Sequence, residues 1–259
     1  MASISASVML AGAARAAEGS APRQVIELRT YRFATEQKLE VFADYLATAL
    51  VPALNRAGVQ PVGVLRLRQA DNPGLKLEAD ELKLYVILPH PDLASALSLA
   101  DRLGADAALT ARAQTVLGAP LKDPVYERFE AQLMLGFSQC PAVEVPSLAA
   151  TRVLQLRLYE SHQDERALRK IEMFNQGGEI ALFRRLGLHP VFFGQSIAGT
   201  ALPNLTYMLG FESPAALETA WNAFRQDPAW AKLKDDPRYA DTVSRITNLI
   251  LRPLPGSQI

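Results

Sequence analysis

Apolar and polar residues alternate at period two over about 24–33, the pattern of a strand with two unlike faces. Helical spacing follows: Leu39, Phe42, Leu46, Leu50 and Leu54 form an apolar stripe over about 35–56, behind an N-capping Thr35. Gly58 is placed to end that helix with a positive φ, and Pro61 to open a second strand over Val62–Arg68. A turn at Asp71-Asn72-Pro73-Gly74 leads to a third strand at Leu82–Leu88 and a second helix at Pro91–Leu103. Residues 105–118 read as a further helical segment, and Val125–Leu135 as a fourth strand.

The pattern then repeats. Val25-Ile26-Glu27-Leu28-Arg29-Thr30-Tyr31 recurs as Val153-Leu154-Gln155-Leu156-Arg157-Leu158-Tyr159, an offset of 128 residues (159 less 31). Gly58-Val59-Gln60-Pro61-Val62 recurs as Gly187-Leu188-His189-Pro190-Val191, and Leu82–Val86 more loosely as Asn204–Met208. Three matches in one order argue for duplication. The second set of elements is expected at 152–160, 163–186, 189–197, 204–211, 214–226 and 241–252, with a short helix started by Asp227-Pro228. The fold class is therefore α+β: two tandem ferredoxin-like βαββαβ modules, 22–136 and 151–259, joined by a linker over 137–150. Each sheet is covered by helices on one face only, so the bare faces are expected to pack together around a small cavity, a dimeric α/β barrel within one chain.

Period two then assigns faces. Ile26, Leu28 and Thr30, with Leu154, Leu156 and Leu158, are expected beneath the helices. Glu27, Arg29 and Tyr31, with Gln155, Arg157 and Tyr159, are expected to face the space between the sheets. A buried arginine is costly unless paired. Glu27 suits Arg29 or Arg157 as a partner, and the uncharged Gln155 leaves one guanidinium free for a ligand's carboxylate or enolate. The alternative is a structural polar network that fixes the register of the sheets.

A second cluster interrupts a helix. Glu172, Asn175 and Glu179 share one helical face by spacing, around the pair Gly177-Gly178, which costs roughly 2 kcal/mol against alanine in mid-helix. That suggests a kink, or close packing of the two modules or of two chains. No histidine joins the face, so no metal site is expected there. His90 lies between prolines in an expected turn, His162 precedes a helix and His189 opens a strand, without metal-like spacing. Trp221, Phe224 and Trp230 read as core, with the alternative that one ring closes a pocket.

Composition narrows the classes. Lys plus Arg equals Asp plus Glu at 27 each, so no net field recruits nucleic acid or anionic lipid. The single Cys140 excludes an internal disulfide and reads as an unreactive thiol. No Gly-rich phosphate loop, Gly-x-Ser-x-Gly elbow or metalloprotease pattern occurs. Ser3 to Ala14 is small and apolar, and Ala14-Arg15-Ala16 fits a signal-peptidase site, so residues 1–21 read as an export signal or a disordered segment. The basic region of such a signal is expected upstream, and the location periplasmic, with a cytoplasmic one as the alternative. No segment reads as a membrane span.

Glu27-Leu28-Arg29-Thr30-Tyr31 and the Gly-x-x-Pro-Val entry to the second strand resemble the NIPSNAP family. Lys170-Ile171-Glu172-Met173-Phe174-Asn175-Gln176-Gly177-Gly178-Glu179, Pro203–Met208 and the end from Leu251-Arg252-Pro253 to Ser257-Gln258-Ile259 resemble its bacterial tandem members. The resemblance covers about 24–259. It implies a dimeric α/β-barrel fold, a largely undefined biochemical role and no agreed catalytic set. The first module departs most, with Thr48-Ala49-Leu50 where the second has Gly177-Gly178-Glu179. The expected function is binding of a small anionic or carbonyl-bearing molecule, without a cofactor. The alternatives are a small monooxygenase or haem-linked enzyme, and a non-catalytic assembly module, with a homo-oligomer as an open expectation.

Overall fold

The computed structural model describes residues 21–259. The expected export signal, residues 1–21, lies outside them but for Ala21. In chain order the elements are β1 (Val25–Arg32), α1 (Glu36–Tyr45), α2 (Val51–Arg56), β2 (Gly63–Leu67), β3 (Lys83–His90), α3 (Leu93–Leu97), α4 (Leu99–Gly104), α5 (Ala107–Leu117) and β4 (Arg128–Gly136). The second half holds β5 (Val153–Glu160), α6 (Asp164–Asn175), α7 (Glu179–Arg185), β6 (His189–Ala198), β7 (Asn204–Phe211), α8 (Pro214–Gln226), α9 (Pro228–Lys234) and β8 (Arg245–Pro253). The βαββαβ order occurs twice. A π-helical turn at Leu46–Leu50 joins α1 to α2, so the long expected helix is continuous there. In the second half it is broken.

The two sheets do not stack face to face. They join edge to edge into one closed antiparallel barrel, in the order β4-β1-β3-β2-β8-β5-β7-β6 and back to β4. One seam pairs Leu65, Arg66 and Leu67 of β2 with Pro253, Arg252 and Leu251 of β8. Beyond it the turn after β2 takes over. Asn72 accepts from the Ile250 amide and donates to the Ile250 carbonyl, each at 2.8 Å, as a strand neighbour would. Arg252 grips Asp71 with two hydrogen bonds of 2.8 and 2.7 Å. The other seam pairs β4 with β6, from Leu133–Ala198 to Gly136–Gly194. There a Cβ on Gly194 would fall 2.6 Å from the Met134 Cβ, so only glycine fits.

Closure decides which face is inside. Ile26, Leu28, Leu65, Ile87, Met134, Leu154, Leu156, Phe192, Met208 and Leu251 fill the barrel as one buried cluster drawn from both modules. The inter-sheet space is thus a packed core, and the expected cavity there is absent among the described residues. Period two was right and the side was reversed. Ile26 and Leu28 point into the barrel, whereas Tyr31 and Tyr159 belong to the two cores beneath the helices. The physical reason is supply. A closed barrel has no route to water and takes the aliphatic set, while the outer face is only partly roofed and tolerates Arg, Glu and Gln. His90 is also corrected: it ends β3, pairs with Val25 and is fully buried.

Two outcomes follow. Phe192→Ala, deep in the shared interior, should destabilise the whole molecule by about 3–5 kcal/mol in one cooperative urea transition. Asp71 is held below its ordinary value of 3.8, mainly by the Arg252 hydrogen bonds. A carboxyl depressed by folding stabilises above its ordinary pKa and loses that contribution as pH falls through the lower folded value. Thermal melts should therefore be flat in this respect above about pH 5 and fall below it. Asp71→Asn should remove part of that acid loss.

Candidate functional site

With the interior filled, the clefts lie outside, between the barrel wall and its helices. One of about 750 Å³ belongs to the second module. Strand β5 presents Gln155, Arg157 and Tyr159 to it, α6 gives Lys170, α7 gives Glu179, α8 gives Trp221, α9 gives Trp230 and β8 gives Asn248. The sequence expectation that Gln155, Arg157 and Tyr159 share one space is met, in a different place. Their first-module counterparts do not join them. Arg29 and Tyr31 line a separate cleft of about 310 Å³, with Phe42, Tyr45, Leu50 and Phe129.

The two arginines differ in one respect. Arg29 donates to both Glu27 oxygens, at 2.6 and 3.2 Å, and His90 lies 3.2 Å from the same carboxylate. Burial pushes the Glu27 carboxyl up, but the hydrogen bonds from His90 and Arg29 outweigh it and hold it below the usual range. The first module therefore neutralises its arginine. In the second, Gln155 replaces the acid and is fully engaged: its Oε1 accepts from the Trp221 indole at 2.6 Å and its Nε2 donates to Asn248 at 2.7 Å. Arg157 has no hydrogen bond or ion pair among the described residues, and its buried Nε is unsatisfied. Aromatic faces hold it instead. Its guanidinium carbon lies 4.8 Å from the Trp221 ring centre, 5.2 Å from Tyr159 and 5.9 Å from Tyr207. Such contacts orient a cation without cancelling its charge.

Below it lie two further groups. The Tyr159 and Tyr207 hydroxyls are 3.1 Å apart, and burial pushes the Tyr207 phenol up. Lys170 Nζ donates to Glu179 at 2.8 Å, with both side chains buried. The helix break makes that pair. Gly178 takes φ +85°, a left-handed conformation, which ends α6 and starts α7 at Glu179. The expected kink is present, and the other expectations for this cluster need correcting. Gly177 comes close to the Met173 carbonyl of its own helix, where a Cβ would sit 2.5 Å away, and not to the other module. The break also turns Glu179 off the face assigned to it. Glu172 is paired with Arg169 near the surface, Asn175 accepts from Ser138 and the Gln139 amide, and Glu179 enters the cleft.

Residues 154–258 match the family model described as NIPSNAP. The second module is a NIPSNAP domain. No curated protein matches the chain by sequence. Among solved structures, a provisionally named monooxygenase from Lactobacillus acidophilus superposes with a TM-score of 0.57 at 9% identity, over 89% of this chain and 94% of that one. Another from Fusobacterium nucleatum gives 0.54 at 10% identity, over 90% and 93%. At such identity the likeness is of fold alone. An uncharacterised NIPSNAP-like protein from Burkholderia xenovorans shares 18% identity over 40% of this chain and 87% of its own, at a TM-score of 0.36. Among the described residues, no helix is long and apolar enough to cross a membrane, and no group of three or more His, Cys, Asp or Glu could hold a metal. Cys140 is buried, and burial pushes its thiol up to about 12, as expected of an inert cysteine.

Sequence reasoning passed over Lys170, although a signal existed. It sits among Ala167, Met173 and Phe174 on the buried face of α6, a lone cation inside an apolar stripe. Trp221 and Trp230, read mainly as core, wall the cleft.

The pairing difference has a measurable consequence. Arg29→Met should cost about 3 kcal/mol in urea denaturation, because it leaves the Glu27 carboxylate buried without its bidentate partner. Arg157→Met should leave stability unchanged or raise it, since no acid is abandoned.

Proposed function

We propose that this NIPSNAP protein binds a small anionic or carbonyl-bearing molecule in the cleft between β5 and the helices of its second module. One observation carries the reading: a guanidinium with no hydrogen-bonded counter-ion among the described residues, held on aromatic faces, lines a cavity of ligand size. A planar carboxylate is its natural complement, because the guanidinium fork can grip it with two parallel hydrogen bonds. The indoles of Trp221 and Trp230 suit an unsaturated or aromatic body, and Asn248 offers a polar contact at the rim. The first half of the chain serves, in this reading, as a diverged copy. It completes the barrel and has closed its own arginine with Glu27. The cleft lining contains no histidine, cysteine or methionine, the usual axial ligands of haem, which weighs against a haem-linked role.

Isothermal titration with benzoate and a panel of small carboxylates tests this. The wild type should bind members of the panel, and Arg157→Ala should weaken them by at least about 30-fold, roughly 2 kcal/mol. Arg29→Ala should leave affinity unchanged. Equal profiles for wild type and Arg157→Ala would refute the assignment.

A further inference from the structure

The same cleft holds a buried ion pair beside Arg157. Lys170 and Glu179 lie 2.8 Å apart, with side chains only 6% and 3% exposed. Taking two charges out of water costs about as much as their attraction returns, and packed apolar residues often replace such a pair without loss. This protein contains that replacement. At the first strand's offset of 128 Phe42 stands where Lys170 does, and at the offset of 129 set by Gly58 and Gly187 Leu50 aligns with Glu179. Both line the first cleft beside Arg29 and Tyr31, as Lys170 and Glu179 line the second beside Arg157 and Tyr159. One architecture, built twice, uses apolar residues where its arginine is neutralised and an ion pair where its arginine is free. Packing alone does not account for that correlation.

Placement suggests what the pair does. Arg157 and Lys170 flank one ring, at 5.2 and 5.8 Å from the Tyr159 centre, so the anion anchor and the ion pair are neighbours in the cleft. Of the two Glu179 oxygens Lys170 engages only Oε2, its other contact being the Met173 sulfur at 3.1 Å, and Oε1 has no hydrogen-bond partner among the described residues. The pair cancels its own charge, which leaves Arg157 to match a monoanion. Among monoanions, a 2-oxo acid also offers a carbonyl and an acidic C–H beside it.

We infer that Glu179 is a proton-transferring base acting on an aromatic or unsaturated 2-oxo monocarboxylate anchored at Arg157. This rests on the reading of the cleft as an anion site. The C–H bond next to the ketone breaks and its proton passes to Glu179 Oε1. The electron pair becomes the C=C bond of the enolate, whose oxygen takes the negative charge that the guanidinium offsets. Return of a proton to the same carbon restores the ketone, so no oxidant or second substrate is required. Lys170 is a positioning residue that holds Oε2 and leaves Oε1 free. Burial pushes the Glu179 carboxyl up, with Lys170 and Arg157 offsetting part of the rise, a direction that strengthens the carboxylate as a base.

Phenylpyruvate in D₂O provides the test, with loss of its C3 proton signal followed by NMR and its binding measured separately. The wild type should accelerate exchange over buffer. Glu179→Gln should lower that acceleration by about 100-fold or more while phenylpyruvate still binds. The double variant Lys170→Phe with Glu179→Leu copies the first module, and should melt no lower than wild type, bind, and lose exchange. Binding without accelerated exchange in the wild type, or exchange by Glu179→Gln at the wild-type rate, would overturn the base and leave the anion site standing. Absence of phenylpyruvate binding would overturn this inference. Absence of binding across the whole carboxylate panel would remove the site itself.

Discussion

Edge-to-edge closure of the barrel is the constraint from which the rest follows. Once β2 pairs with β8 and β6 with β4, the interior is sealed and must be filled with aliphatic and aromatic side chains from both halves. The polar triplets of β1 and β5 are then forced outward, beneath helices that roof the wall incompletely. The Arg29 and Arg157 clefts form there, and whether each arginine is paired is decided at a single position. Glu27 closes the first arginine, whereas Gln155 spends both ends of its amide on Trp221 and Asn248 and offers Arg157 nothing.

That arrangement is costly in a way that makes it informative. An unsatisfied guanidinium nitrogen and a buried ion pair each work against stability, and the first module shows the cheaper alternatives on the same scaffold. The comparison is internal to one molecule, with identical strand order and the same flanking Tyr31 and Tyr159. Two copies of a fold that solve the same packing problem differently point to a demand that packing does not make.

Much of this is legible in the amino-acid sequence. Period two and period 3.6 placed nearly all elements, and the offset of 128 aligned Glu27 with Gln155, from which one free arginine followed. The inward side was not legible. Alternation separates two faces without saying which is enclosed, and Leu28 and Tyr31 are equally acceptable beneath a helix. The choice belongs to closure, which depends on seams between strands far apart in the chain. Glu179 was misplaced for a related reason: spacing rules assume an unbroken helix, and Gly178 at φ +85° resets the direction of every later side chain. Lys170 was visible as a charge on an apolar stripe, but its partner nine positions on becomes adjacent only because of that break.

The most direct measurement restores the missing acid. In Gln155→Glu the second cleft gains the carboxylate that Glu27 supplies in the first, two positions before its arginine on the same strand face. Benzoate titration should then show affinity lost to the same extent as in an Arg157→Ala protein, with the fold intact by melting. Unchanged benzoate affinity in Gln155→Glu would contradict the claim that the unpaired charge of Arg157 defines the site.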